Sequence, residues 1–287
     1  MINPKAVGDV IVKRRRLNGM TQDELAQILN VTPQAVSKWE KGLALPDTSI
    51  LPTLGFAIST SIDELLVSKA APYNPQTDSL LFNLAIADFS FDHWEGASFI
   101  PNYSGLPQTL EPIEVDGRNS LLVHTSERPT CKRRGLVSKS AVTLEPYTVV
   151  ELTFKPLGDI DGIIELWLYD RSSSNSIRVS ARGGNYGEER EFISDITRFD
   201  SKCSRHVIRY NEWETFRIEI KPQTTVVSLL DADRVIIKSF YYDLLYADFI
   251  HKYHLVISQE LGYPNDSNEW HMKAYIEKLQ VWKINAN

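Results

Sequence analysis

The sequence predicts a multidomain chain in which an all-α domain of five helices precedes an all-β antiparallel sandwich. Three observations carry that expectation. Apolar residues recur at helical spacing through the first 68 positions. The stretch SKAAPYNPQTDS at 68–79, with two prolines and little apolar content, breaks the pattern as a linker would. From about Phe89 the chain turns to short alternating runs of Val, Ile, Thr, Tyr, Phe and Trp bounded by Gly, Pro, Asn and Asp, which is strand grammar. At 287 residues and 43% apolar content the chain is comfortable for one small and one large globular domain. The expected division is 1–68, a linker over 69–79, and 80–287.

A first helix is expected from about Pro4 to Leu17, with Val7, Val10, Ile11 and Leu17 inward and the basic run Lys13-Arg14-Arg15-Arg16 near its C-terminus, where cations suit the helix dipole. The stretch Thr21 to Gly42 reads as two short helices about a sharp turn. Leu25, Ala26, Ile28 and Leu29 supply the apolar side of one, Val36 and Trp39 that of the other. Thr21 with Glu24 forms a capping box, Thr32 caps the second helix with Pro33 at its first position, and Gly42 stops it. Pro46 and Asp47 are expected to begin a fourth helix through Ile50, Leu51, Leu54 and Ile58, and Ser61 to Leu66 a capped fifth.

With its flanks, residues 4–68, this segment resembles the lambda-repressor-like helix-turn-helix family, also known as the Cro or xenobiotic-response-element type. The resemblance rests on Arg14 to Arg16, Leu17, Gly19, Thr-Gln-Asp-Glu-Leu-Ala at 21–26, Val31, Ser37-Lys38-Trp39-Glu40, Gly42, Pro46 and Ile62-Asp63-Glu64-Leu65. It implies DNA binding, with the second helix of the motif in the major groove and its N-terminal half against base edges. Gln34, Ser37 and Lys38 are then the base readers. Gln can bond bidentately to adenine, Lys can donate to guanine, and Ala35 is small enough to meet a thymine methyl. Gln22 and Lys41 match family positions that contact phosphates, and Arg14 and Arg16 are phosphate candidates. Arg15 is expected to pair with Glu40 inside the fold. Pro33 departs from family members with a polar reader there, so one base contact is lost.

The net charge of -6 looks wrong for a nucleic-acid binder until it is divided. Residues 1–70 hold eight Lys or Arg against seven Asp or Glu, a balance of +1, whereas the remainder holds 23 against 30, a balance of -7. The DNA-facing charge must be local, and Lys13 to Arg16 with Lys38 and Lys41 supply it. No run of 18 apolar residues occurs, and Lys5 and Asp9 interrupt the N-terminus, so neither a membrane span nor secretion is expected and the protein is read as cytoplasmic. Cys131 and Cys203, far apart and without CxxC spacing, read as two reduced thiols. No cofactor or metal is expected: His251-x-x-His254 lacks further ligands at defined spacing, and the loop residues Asp231, Asp233, Asn265 and Asp266 read as solvated turn formers. Gly183-Gly184-Asn185 lacks a phosphate-loop signature.

In the large domain, candidate strands are Ser120 to His124, Thr148 to Phe154, Ile163 to Tyr169, Ile177 to Ala181, Thr215 to Ile220, Val226 to Leu230, Val235 to Phe240, Tyr253 to Ser258 and Met272 to Ile284, with a hairpin turn at Asp231 to Arg234. Leu80 to Ala87 reads as a short helix or the first strand. The strand order resembles a concanavalin A-like lectin/glucanase jelly roll, particularly Trp213-Glu214-Thr215-Phe216-Arg217-Ile218-Glu219-Ile220, the following hairpin and the terminal Ala274 to Lys283 strand. That resemblance is compatible with sugar binding, glycoside cleavage or protein contact.

Alternation separates two faces at 163–182. Glu165, Trp167 and Tyr169 oppose Ile164, Leu166 and Leu168, and Arg178 and Arg182 alternate with Ile177, Val179 and Ala181. If Asp170 to Ser176 is a hairpin loop, Glu165, Trp167, Tyr169, Arg178 and Arg182 share a polar-aromatic face of the kind that stacks a sugar ring and bonds its hydroxyls, and His254, Ser258 and Glu260 join it. The bland alternative is a solvated face laced with Glu–Arg pairs. Hydrolases that resemble this fold place catalytic carboxylates as Glu-x-Asp-x-x-Glu on one strand; here Trp167 stands where the middle acid belongs, so no enzyme is expected.

The chain is therefore read as a DNA-binding transcription regulator, in the sense of a repressor, acting as a homodimer on a two-fold operator of double-stranded DNA. Its sandwich senses a carbohydrate-like ligand, mediates dimerisation, or both. The alternatives are a sandwich that serves as an assembly module without a small-molecule ligand and, third, a glycoside-active enzyme fused to a DNA-binding domain.

Overall fold

The computed structural model describes all residues except 1, 61, 67–69, 86–90, 101–102, 104, 128–132, 158–161, 172–175, 183–190, 197–200, 206–207, 244–251, 262–269 and 286–287. Cys131, His251, the Gly183 to Asn185 run and the Asn265-Asp266 pair thus lie outside the described residues. The chain divides into two compact units: Met1–Pro72 with Asp233–Ser239, and Tyr73–Ala232 with Phe240–Asn287.

Helix α1 spans Pro4–Leu17 and is capped by Asn3, whose side-chain oxygen accepts the Lys5 and Ala6 amides. Helix α2 (Gln22–Leu29) carries the capping box: Thr21 Oγ1 accepts the Glu24 amide at 3.2 Å and Glu24 Oε2 accepts the Thr21 amide at 2.7 Å. Helix α3 (Pro33–Glu40) starts at Thr32, which accepts the Ala35 amide. It ends at Gly42, whose φ of 69° lets the Leu43 and Gly42 amides turn back onto the Lys38 and Trp39 carbonyls, each at 2.9 Å. Helix α4 (Leu51–Ala57) begins later than the sequence suggests. Asp47 does not start it; its carboxylate instead accepts the Ser49 amide and hydroxyl and closes a turn of its own. A five-residue segment, α5, follows at Ile62–Leu66.

The helices close on Val7, Val10, Ile11, Leu25, Ala26, Leu29, Val36, Trp39, Leu51, Leu54, Ile58 and Leu65. Ile28 does not join them and is half exposed, because in a helix of only two turns Leu25, Ala26 and Leu29 already span the buried side. Helix α1 lies tight against the end of α3 at Gly8, where an added Cβ would stand 2.3 Å from the Trp39 carbonyl oxygen.

The strands are β1 (Asp78–Ala85), β2 (Trp94–Gly96), β3 (Thr109–Val115), β4 (Arg118–Glu127), β5 (Arg134–Ser138), β6 (Val142–Thr143), β7 (Thr148–Pro156), β8 (Gly162–Tyr169), β9 (Ser176–Arg182), β10 (Glu191–Ile196), β11 (Lys202–Ser204), β12 (Glu214–Ile220), β13 (Thr224–Asp231), β14 (Ile236–Asp243), β15 (Lys252–Leu261) and β16 (Trp270–Ile284). They form two antiparallel sheets packed as a β-sandwich. One runs β14-β13-β12-β7-β16-β4-β3 with β1 also on β16; the other runs β11-β10-β9-β8-β15-β5-β2 with β6 also on β15. The nine strands expected from the sequence are present, and the stretch left open at Leu80 to Ala87 contributes to strand β1. The additional strands are mostly short or, like β3 with its Pro112 and exposed Glu111 and Glu114, lie at an edge, where apolar alternation is weak.

The sheets meet through aromatic rings. Phe154 of β7 lies 4.4 Å from Phe216 of β12, and Phe192 of β10 reaches across to Phe216 at 6.1 Å and to Phe240 of β14 at 5.2 Å. Three of the four are fully buried, and burying each such ring contributes roughly 1.5–3 kcal/mol. Away from this core, β7 and β12 bury a charge pair, with Arg217 Nη1 donating to Glu151 Oε1 at 2.6 Å and the Arg217 guanidinium over the Trp282 ring.

Two outcomes follow from the helical unit. Gly8→Ala forces the Trp39 carbonyl aside and is expected to lower stability by about 1–3 kcal/mol, read from the first thermal transition of the chain. The Glu24 carboxyl is held below its ordinary range, first by the Thr21 backbone amide and then by the Thr21 hydroxyl. A depressed folded pKa stabilises the fold above the unfolded value and is lost as pH falls through the folded one. Glu24→Gln is therefore expected to reduce helical circular dichroism at neutral pH and to flatten its decline on acidification.

Candidate functional site

The α3 surface is assembled around one buried carboxylate. Arg15 Nε donates to Glu40 Oε1 at 2.5 Å and its Nη2 to Oε2 at 3.1 Å, while Nη1 reaches the Met20 carbonyl at 2.6 Å. Gln22 Nε2 donates to the same Glu40 Oε2 at 2.6 Å. Arg15 and Glu40 are both buried, so α1, the start of α2 and the end of α3 are tied at one point. Val36 and Trp39 fill the inner side of α3, and its other side carries exposed Gln34 and Lys38, half-buried Ala35 and Ser37, and exposed Lys41 at the C-cap.

Two expected phosphate contacts sit differently. Arg14 is buried, because position 14 continues the Val7, Val10 and Ile11 stripe of α1 at seven-residue spacing; Arg16, two positions on, is exposed. Gln22 gives its amide to Glu40 and so braces the motif. The expected Arg15–Glu40 pair is present.

On the sandwich, register brings the residues singled out at 163–182 onto one face. Trp167 pairs opposite Arg178, Glu165 opposite Ser180, and Ile163 opposite Arg182; across β15, Tyr169 faces His254 and Glu165 faces Ser258. Glu260 stands in register with Ile163. The ends of this face differ. Arg182 is exposed and approaches Glu191 at 3.9 Å, and His254 Nδ1 is 2.6 Å from the Ser138 carbonyl oxygen. Arg178 is held by Asp195, its Nη2 donating at 2.7 Å, and its Nη1 lies 3.7 Å from Glu165.

The middle of the face is covered by the chain itself. Glu165 is 1% exposed, and its carboxylate accepts from Ser258 Oγ at 2.8 Å, Ser180 Oγ at 3.3 Å and the Tyr103 hydroxyl at 3.4 Å. Ala97, Ile100 and Tyr103 pack on Val137 and Val256, with Trp167 and Tyr169 alongside. Tyr103 stacks on Trp167 with ring centroids 5.9 Å apart and an interplanar angle of 27°. Burial, and after it the Glu165 charge, push the Tyr103 hydroxyl well above its ordinary range, so it stays a donor. Over Glu165 the cover comes from far along the chain: 62 residues separate Tyr103 from Glu165, and no local pattern marks that contact. Asp195, which no pattern in the sequence marks, is set opposite Arg178 by the register of β10 on β9. Among the described residues no cluster of three or more His, Cys, Asp or Glu is arranged to hold a metal. No helix among them is long and apolar enough to cross a membrane.

Comparison with known proteins agrees with both halves of this architecture. Residues 11–65 match a helix-turn-helix family model. Endothelial differentiation-related factor 1 homolog of Gallus gallus is 32% identical over 73 residues, covering 25% of this chain and 49% of that protein, and the Rattus norvegicus factor is 31% identical over 70 residues. The match therefore spans about half the length of those relatives. Among solved structures, SCLam, a non-specific endo-β-1,3(4)-glucanase from family GH16, aligns over 76% of this chain and 96% of its own at TM-score 0.55 and 12% identity. An endo-β-1,3-glucanase from Pyrococcus furiosus aligns over 73% and 96% at TM-score 0.52 and 10% identity. A glycoside hydrolase family 16 endo-glucanase from Bacteroides ovatus aligns over 70% and 100% at 0.52 and 12%. Identities this low speak to fold alone. The chain thus joins an N-terminal helix-turn-helix domain of the Cro and xenobiotic-response-element type to a C-terminal concanavalin A-like β-sandwich with the fold of family GH16.

Proposed function

We propose that this protein is a sequence-specific DNA-binding transcription regulator, a repressor that acts in the cytoplasm as a homodimer on a two-fold operator. The observation that carries this is the two-sided character of α3. Its inner side is locked by the Arg15–Glu40–Gln22 cluster, so the row of Gln34, Ser37 and Lys38, with Ala35 beside it, is held rigidly on the other. Gln34 and Lys38 have the donors and acceptors to read base edges, and Lys41 and Arg16 are exposed cations that suit flanking phosphates. One such five-helix, lambda-repressor-like unit makes few base contacts, and two half-sites about 34 Å apart restore specificity.

In the same proposal the jelly-roll sandwich senses a carbohydrate-like ligand on the Trp167 face and is not an enzyme. The glucanase-like fold supports a saccharide class, and the Glu165-x-Trp167-x-x-Asp170 sequence, lacking the middle acid, argues against glycoside cleavage. Release of reducing sugar from polysaccharides by the purified chain would overturn the non-enzymatic part. A second reading, in which the sandwich is an assembly module without a small ligand, draws support from the internal cover over Glu165.

The test is selection of sites from a random duplex pool by the full chain. Enrichment of a two-fold sequence is expected, and a pool with no enriched sequence at low salt sinks the proposal. On the selected site, Gln34→Ala is expected to lose about 1–3 kcal/mol and to relax preference at one position per half-site. Lys41→Ala is expected to weaken binding evenly across sequences, with a salt slope reduced by about 1 per contact.

A further inference from the structure

We propose that Tyr103 is the internal occupant of a pyranose subsite on the sandwich, and that a saccharide binds there by replacing it. This rests on the sugar-sensing part of the proposed function and concerns how that site is opened.

The Tyr103 ring lies against Trp167 at 5.9 Å and 27°, an offset aromatic stack that occupies the indole face a sugar ring would need. Its hydroxyl lies 3.2 Å from Ser258 Oγ and 3.4 Å from Glu165 Oε2. A carboxylate accepts, a serine hydroxyl both donates and accepts, and the pair holds any hydroxyl brought to that point, phenolic or sugar. Arg178 and Asp195 stand beside them, with side chains 29% exposed, as a further donor and acceptor at the rim. Trp167 Nε1 is buried without a hydrogen-bond partner among the described residues. The phenol has one hydroxyl and spends it on Glu165 and Ser258; a polyhydroxylated ring has others to offer the indole.

Occupancy by the phenol and by a sugar exclude each other. Tyr103 is 8% exposed and Glu165 1%, so no external ring reaches the carboxylate while Tyr103 is seated. The segment has its own attachments: Ile100 and Tyr103 close successive turns onto the Ala97 and Ile100 carbonyls, and Ala97 and Ile100 pack on Val137 and Val256. Tyr103 is itself held at its backbone, by its amide on the Ile100 carbonyl and by a parallel bridge to Arg133, so the exchange asks only its side chain to swing away. Apparent affinity is then the intrinsic affinity multiplied by the fraction of molecules with Tyr103 unseated.

The experiment titrates cellotetraose, maltotetraose and mannotetraose into the full chain as wild type, Tyr103→Ala and Tyr103→Phe, following calorimetry and tryptophan fluorescence. With the unseated form at about 0.1–10%, Tyr103→Ala is expected to tighten binding of the accepted saccharide by about 10- to 1,000-fold. Tyr103→Phe, which keeps the ring and loses both hydroxyl bonds, is expected to fall between. Equal affinity in wild type and Tyr103→Ala overturns the replacement and leaves sugar sensing standing, whereas weaker binding by Tyr103→Ala makes Tyr103 part of the binding wall and also overturns it. Absence of binding by every form overturns sugar sensing and this proposal with it. If Tyr103→Ala does not fold, Tyr103→Phe decides, and an affinity unchanged from wild type overturns the replacement.

Discussion

Glu40 takes two hydrogen bonds from Arg15 and one from Gln22 in a setting with almost no solvent, and the geometry of the helix-turn-helix surface hangs on that carboxylate. A buried ion pair repays its desolvation only when the remaining lone pairs are also met, and here the Gln22 amide and the Met20 carbonyl complete the set. The consequence lies in position more than in stability. With the end of α3 pinned to α1 and α2, Gln34 and Lys38 can be carried as a rigid row. Gly8 makes the same junction possible from the other side, since any Cβ there would push α1 away from α3.

The sandwich obeys a different constraint. In a strand the side-chain period is two, so once Ile164, Leu166 and Leu168 are committed to the core, Glu165, Trp167 and Tyr169 must lie on the opposite face together. Antiparallel register then lays Ser180, Arg178 and Ser258 beside them. This is an expensive place for a carboxylate unless it is fully bonded, and Ser258, Ser180 and Tyr103 provide that bonding. The Glu165 carboxylate is thus bonded from within, and the face is more open toward Arg178, Asp195 and Arg182.

Charge is divided in keeping with this. Residues 1–70 stand at +1 and the remainder at -7, so any attraction to phosphates comes from the placement of a few cations. Placement is what burial edits: Arg14 and Arg16 are equal in the sequence, yet one is taken into the fold and the other left in solvent.

How much of this was legible follows the range of the interactions. The capping box at Thr21, the Thr32 cap, the stop at Gly42, the nine expected strands and the two-faced pattern of β8 and β9 are local, written in spacings of two, three or four residues, and the sequence by itself determined them. The start of α4 is not fixed locally, because Asp47 can cap a turn as well as a helix, and only the surrounding packing chooses. Short or edge strands such as β2, β3 and β11 owe their existence to neighbours and carry little signal of their own. The burial of Arg14, the bracing role of Gln22 and the seating of Tyr103 over Glu165 were decided only by tertiary structure, because each depends on groups brought together from separate elements, and no periodicity along the chain encodes which distant side chain will arrive.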